Sequence, residues 1–105
     1  MKSTHKEELY IKQDPLTDLI FDDHSIFFDI ETTGFSPATS TLYMIGCARK
    51  SGKYICVDQF FAENPGEERL ILNAFLEVLN QYDTIISFNG VGFDIPFLKA
   101  KCDQY

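Results

Sequence analysis

Apolar and polar positions alternate along residues 25–31, Ser-Ile-Phe-Phe-Asp-Ile-Glu. Ile26, Phe28 and Ile30 fall on one side, Phe27, Asp29 and Glu31 on the other, the two-residue period of a strand. Both sides are apolar at its start, as expected of a strand buried on both faces. Thr32-Thr33-Gly34-Phe35-Ser36-Pro37 breaks the pattern and reads as a loop. Residues 41–49 and 53–61 read as two further strands, with a tight hairpin at Lys50-Ser51-Gly52-Lys53. A two-residue Ser51-Gly52 loop would set Cys47 opposite Cys56.

The period then changes. Asn64-Pro65-Gly66-Glu67 has the form of a capping box with proline at the first helical position. The helix it opens should run to about Tyr82, burying Ile71, Ala74, Phe75, Val78, Leu79 and Tyr82. Thr84 to Phe88 is a short apolar strand, and Asn89-Gly90-Val91-Gly92 a loop. Asp94 is placed to cap a last helix with Pro96 in its first turn and Phe97, Leu98 and Cys102 on one side. At the other end, residues 1–13 are polar except Leu9, Tyr10 and Ile11, which suits a flexible arm with room for a short added strand. Asp14-Pro15 should start a short helix with Leu16, Leu19 and Ile20 on its apolar face. The expected organisation is an arm with a short helix over residues 1–24, then strand, strand, strand, helix, strand, helix over residues 25–105. That is an α/β plan with a mixed sheet.

A composition that is 45% hydrophobic and 14% aromatic supports a packed core and excludes a disordered acidic segment. The net charge is −7, with no visible basic patch, so duplex binding by charge alone is not expected. The cysteines, Cys47, Cys56 and Cys102, are odd in number and widely spaced, a pattern of neither a disulfide framework nor a zinc site. Cys47 and Cys56 are better read as small buried hydrophobes than as a redox pair. No apolar run approaches the roughly 20 residues of a membrane span, and residues 1–8 lack the apolar core of a signal peptide. The expected setting is soluble, reduced and cytoplasmic, with no membrane partner.

Chemistry concentrates in two places. Asp29 and Glu31, two apart on a strand, project from the same face, and at the carboxyl end of a strand, where α/β sheets bind ligands. Carboxylates held together repel unless a cation lies between them, and a hard, oxygen-seeking ion such as Mg²⁺ or Mn²⁺ suits them. An Asp-x-Glu alone is more often a solvated strand end. The second cluster, Ser87-Phe88-Asn89-Gly90-Val91-Gly92-Phe93-Asp94, joins a strand to a helix. Its glycines allow close backbone approach, Phe93 can anchor the loop or stack on a base, and Asp94 can meet the first two carboxylates or cap the helix.

Phe28-Asp29-Ile30-Glu31-Thr32-Thr33-Gly34 resembles the first motif of the DEDD, or DnaQ-like, 3′–5′ exonuclease superfamily on the ribonuclease-H-like fold. Asn89-x-x-x-Phe93-Asp94 resembles its second motif. A hairpin, a helix and a strand separate them, as in that superfamily. Asn89-Gly90 and Asp94-Ile95-Pro96-Phe97-Leu98 most resemble the YprB-type predicted exonucleases, and proofreading domains of family B polymerases are similar too. The resemblance implies two-metal hydrolysis of phosphodiesters with Mg²⁺ or Mn²⁺, at the 3′ end of single-stranded DNA or RNA. It implies Asp29, Glu31 and Asp94 as catalytic metal ligands. Asn89, Gly90, Phe93 and the backbone around Thr32 and Thr33 would contact the strand being trimmed, although Asn89 and Thr32 are also good turn residues.

The departure lies past Asp94. A third motif, with a His or Tyr that orients water and a fourth Asp, is expected after another strand, and the sequence ends at Tyr105. The expectation is therefore an incomplete ribonuclease-H-like sheet with an unpaired edge and an uncovered apolar face. Dimerisation or strand exchange, or a missing C-terminal segment, would cover it. The alternative function is a non-catalytic module on the same fold that binds nucleic-acid ends or another protein.

Overall fold

The computed structural model describes residues 1–10, 22–87 and 90–105. The short helix expected around residues 14–23, and Phe88 and Asn89, lie largely or wholly outside the described residues. In chain order the elements are β1 (Lys2–Leu9), β2 (Ser25–Thr32), β3 (Leu42–Ser51), β4 (Tyr54–Phe61), a 3-10 turn (Pro65–Glu67), α1 (Glu68–Leu79), β5 (Thr84–Ile86), a π-helical turn (Gly90–Asp94) and α2 (Ile95–Gln104). The strands form one mixed sheet in the order β1-β4-β3-β2-β5. Only β5 runs parallel to its neighbour, with Ile26 beside Ile85 and Phe27 beside Ile86. This is the mixed α/β sheet that the alternation and periodicity predict, and it is consistent with the ribonuclease-H-like plan that the motif resemblance implies.

Strand alternation sorts the sheet into two faces. Ile26, Phe28 and Ile30 of β2, Ile45 and Cys47 of β3 and Phe60 of β4 pack with Ile71, Leu72 and Phe75 of α1 and Phe97 of α2 into one buried cluster. Both helices therefore cover the same face. The opposite face carries Phe27, Asp29 and Glu31, and no described helix packs on it; Val57 and Phe61 stay about 40% exposed.

The N-terminal arm becomes a full edge strand, β1, antiparallel to β4 from Lys2↔Phe61 to Leu9↔Tyr54. Every β1 side chain is exposed, so hydrophobicity gave little sign of its length. The hairpin differs from expectation by two in register. Ser51 opposes Tyr54, so the two-residue loop is Gly52-Lys53, with Gly52 at φ +59°. A two-residue turn with a single left-handed residue needs glycine at its first central position, which favours this loop over Ser51-Gly52. Cys47 consequently faces Asp58, and Cys56 faces Arg49. Both thiols are free, and burial pushes that of Cys47 up to about 11, as fits a buried hydrophobe.

The capping box forms only in part. Asn64 makes no side-chain cap bond; the Glu67 carboxylate instead accepts from the Glu63 amide at 2.8 Å and pairs with the Met1 amino group. α1 stops at Leu79, where Gln81 and Tyr82 tighten to bonds with Val78 and Leu79 carbonyls. The buried stripe of α1 is Glu68, Ile71, Leu72 and Phe75, so a charged residue occupies its first position. Glu68 Oε2 accepts from Lys101 Nζ at 3.1 Å, with both side chains about 5% exposed or less. The same oxygen accepts from the Leu42 amide at 2.6 Å, and Oε1 accepts from the Tyr105 hydroxyl at 2.7 Å. That bond raises the Tyr105 phenol above its ordinary pKa.

Removing one partner of a buried ion pair costs about 3–5 kcal/mol. Lys101→Met should therefore lower the urea-unfolding midpoint sharply. Lys101→Met combined with Glu68→Leu should recover part of that loss, since no buried charge is left unpaired, though the Leu42 amide and Ser40 carbonyl lose their partners. Gly52→Ala, forced into the left-handed region, should cost about 1–2 kcal/mol in the same assay.

Candidate functional site

Asp29 and Glu31 leave the open face of β2, opposite Gly46 and Met44 of β3, and both are exposed. Asp29 rims a shallow depression of about 240 Å³ with Phe27, Gly46, Ala48, Val57 and Gln59. Past Glu31 the β2–β3 register shifts, Thr32 pairing with Leu42, and such an irregularity bends the strand end away from the ladder. Because β5 is parallel to β2, their carboxyl ends share one edge of the sheet. The chain leaves β2 toward β3 and leaves β5 toward α2, so the two connections diverge at the carboxyl ends of these strands, the end where α/β sheets bind ligands.

The loop after β2 is held by its own hydrogen bonds and by α2. Thr32 Oγ1 donates to the Gly34 carbonyl at 2.7 Å. The Thr33 amide donates to the Thr41 carbonyl at 2.9 Å, and Thr33 Oγ1 accepts from the Thr41 amide at 2.8 Å. Gly34 packs so closely that a Cβ there would stand 2.6 Å from Ser40 Oγ. From α2, Lys101 Nζ donates to the Ser40 carbonyl at 2.6 Å, and Gln104 Nε2 to the Pro37 carbonyl at 3.2 Å. Phe35 meets Phe93 edge-on at 6.2 Å between ring centroids, and Phe93 meets Phe97 at 5.3 Å. One edge-on ring contact thus joins the loop after β2 to the turn before α2.

Asp94 is buried at the end of the π-helical turn that Gly90 opens. It makes no helix-capping side-chain bond. Its Oδ2 accepts instead from Ser87 Oγ at 2.9 Å, so a residue past β5 fixes its rotamer. Asp29 and Glu31 are exposed while Asp94 is enclosed, and the three are not drawn into one tight cage. Among the described residues, the set of three ligand-type side chains with donor atoms within 4.8 Å of one another is His5, Glu7 and Cys56. Ser87, Phe35 and Lys101 had no assigned role in the sequence. The partners of Phe35 and Lys101 lie 58 and 61 residues away, beyond the reach of any periodic pattern, and Ser87 meets Asp94 seven residues on from outside any regular helix or strand.

The contact between Gly34 and Ser40 can be tested by a double-mutant cycle. Gly34→Ala should destabilise the chain by about 1–3 kcal/mol through overpacking. Gly34→Ala with Ser40→Ala should cost less than the sum of the single changes, because the hydroxyl that clashes is gone while the Lys101 bond to the Ser40 carbonyl remains.

The chain is similar to known proteins. The uncharacterized protein YprB of Bacillus subtilis (strain 168) is 33% identical over 76 residues, 71% of this chain and 18% of YprB. A DNA polymerase of Thermococcus sp. (strain 9oN-7) is 26% identical over 91 residues, 85% of this chain and 12% of the polymerase. A DNA polymerase of Methanocaldococcus jannaschii is 30% identical over 89 residues, 77% of this chain and 5% of the polymerase. The chain therefore spans less than a fifth of the length of these relatives. No solved structure matches it at a significant level. No described helix is long and apolar enough to cross a membrane. The family model of the RNase H superfamily matches residues 26–105, from the start of β2 to the end of α2, and the chain belongs to that superfamily, in keeping with the DnaQ-like resemblance of its two motifs.

Proposed function

We propose that this chain carries the first two motifs of a metal-dependent 3′–5′ exonuclease domain that trims single-stranded nucleic acid. The observation behind this reading is that β2, which carries Asp29 and Glu31, and β5, which leads to the Phe93–Asp94 turn, run parallel side by side, with Phe35 of the loop after β2 in ring contact with Phe93. The donor set fits a hard divalent cation. Asp29 and Glu31 are paired, exposed carboxylates on one face, and Mg²⁺ characteristically takes one or two carboxylates together with water and substrate phosphates. In this reading Asp29 and Glu31 hold Mg²⁺ or Mn²⁺, and Asp94, oriented by Ser87, contributes from the other motif. Such ions stabilise the attacking and leaving oxygens of an in-line displacement. Thr32 and Thr33 keep the loop rigid, and Phe35, 91% exposed, and Phe93 offer ring faces or edges to a terminal base. Asn89 and Gly90 are assigned to the substrate strand on the motif alone. The exposed Val57 and Phe61 on the same face favour a second reading, a binding module that presents this face to a protein partner.

Fluorescence anisotropy of 3′-labelled single-stranded DNA and RNA, with and without Mn²⁺, separates the two. The exonuclease reading expects Mn²⁺ to tighten binding and Asp29→Ala to remove that gain. Hydrolysis by the 105 residues alone should be negligible, because Tyr105, the one Tyr or His after Asp94, is bonded to Glu68, and assistance to the attacking water is worth about 10²–10⁴-fold. Binding that ignores both Mn²⁺ and Asp29, or no binding of single strands at all, would remove the basis for an exonuclease and leave the protein-binding module.

A further inference from the structure

A second group of metal-ligating side chains lies on the β1–β4 edge, on the helix-covered side of the sheet and away from the carboxylate motif. His5 opposes Asp58, and Glu7 opposes Cys56. Residues two apart on a strand share a face, so the four side chains form a rectangle across two paired strands. A ring nitrogen of His5, a carboxylate oxygen of Glu7 and Cys56 Sγ lie within 4.8 Å of one another. His5 Nδ1 is engaged by Asp58 Oδ1, and Asp58 Oδ2 accepts from Arg49 Nε at 3.3 Å. His5 Nε2 stands 2.9 Å from Glu7 Oε1.

We propose that His5, Glu7 and Cys56 form a binding site for a borderline divalent cation, Zn²⁺ in the first place, with Asp58 as the residue that orients the histidine. The donor set decides the metal. Nitrogen, oxygen and thiolate sulfur together suit Zn²⁺ and are poor for Mg²⁺ or Ca²⁺. Three protein ligands leave one tetrahedral position for water. Asp58 on Nδ1 reproduces the carboxylate–histidine arrangement that fixes the tautomer and presents Nε2 to a metal. An ion would replace the proton now shared between Nε2 and Glu7. With metal bonds of about 2.0–2.1 Å, two ligand atoms of a tetrahedral site stand about 3.3 Å apart, so the 2.9 Å pair need open only slightly.

Charge also balances. As the sulfur–metal bond forms, the Cys56 thiol loses its proton to solvent. The Cys56 thiolate and Glu7 carboxylate then offset the ion's two positive charges. Arg49 already offsets Asp58. Access is open, because the His5 and Glu7 side chains are 44% and 52% exposed, while Cys56 is buried at the base of the group. Binding would staple β1, whose side chains are otherwise solvent-facing, onto β4.

The test is titration of the reduced chain with Co²⁺, followed by displacement with Zn²⁺ in chelator-free buffer. The expected result is one Co²⁺ per chain with a thiolate-to-cobalt charge-transfer band, cleared by Zn²⁺ and untouched by excess Mg²⁺. Cys56→Ser and His5→Ala should abolish the band, and Cys102→Ser should keep it. Asp58→Asn should weaken Zn²⁺ binding about 10–100-fold. Zn²⁺ should raise the thermal midpoint in a concentration-dependent way, as for any ligand of the native state. Since Cys56 is buried and its replacement could loosen the strand pair, the exposed Glu7→Gln is a second variant, and it too must weaken Zn²⁺ binding. A band that survives Cys56→Ser or disappears with Cys102→Ser, Zn²⁺ affinity indifferent to both His5→Ala and Glu7→Gln, or no thiolate band at all would overturn the assignment.

Discussion

The buried ion pair between Glu68 and Lys101 is the constraint on which the arrangement of the rest depends. Glu68 begins α1 and Lys101 stands in the last turn of α2, so each charge also sits at the helix end where the backbone dipole favours it. Burying two charges is costly unless the remaining polar atoms find partners. Here the Leu42 amide, the Tyr105 hydroxyl and the Ser40 carbonyl supply them. Among the described residues no buried side-chain nitrogen or oxygen lacks a hydrogen bond. The pair also has a directional effect that apolar packing would not have. It ties α1, α2, the start of β3 and the loop after β2 to one point, and Lys101 lies 5.7 Å from the Phe97 ring centre.

From that point the geometry of the carboxylate site follows. With the loop held at Ser40, Phe35 reaches Phe93, and Phe93 rests on Phe97. The loop that follows Asp29 and Glu31 thereby touches the turn that precedes Asp94, while the acids themselves stay apart, two exposed and one buried. The hydrophobic side of the sheet is filled by helices, apart from an apolar cleft of about 340 Å³ among Phe28, Phe75, Leu79, Ile85, Ile95 and Leu98. The other side keeps the two carboxylates in water. The proposed cation site would use that asymmetry: a rigid, dry face to position the strand and a wet face to present Asp29 and Glu31.

The two ends of the sheet offer different chemistry. At the β2–β5 edge the donors are carboxylate oxygens. At the β1–β4 edge they are nitrogen, oxygen and sulfur, brought together by strand pairing across 51 positions, from His5 to Cys56. Both edges use the same device. Residues two apart on a strand share a face; at the β1–β4 edge the neighbouring strand adds Cys56 and Asp58.

The sequence by itself determined the elements whose periodicity is strong. The two-residue alternation of β2 was legible, as was the stripe of Ile71 and Phe75. Asp29 and Glu31 could be placed on one face, and the joint motifs pointed to the superfamily. The strand and helix faces are local properties, readable from side-chain spacing, whereas the superfamily came from the resemblance of the two motifs. Tertiary structure decided whatever depended on partners distant in sequence. β1 became a strand because β4 offered an unpaired edge, with no buried side chain of its own to announce it. The hairpin register was settled by which turn position glycine takes, and with it the separation of Cys47 from Cys56. Asp94 turned to Ser87 in place of capping α2 because a hydroxyl came within reach across the loop. Lys101 and Glu68 look like surface charges on their helices until folding brings them together. Spacing shows which face a side chain occupies, but long-range pairing decides what it meets there.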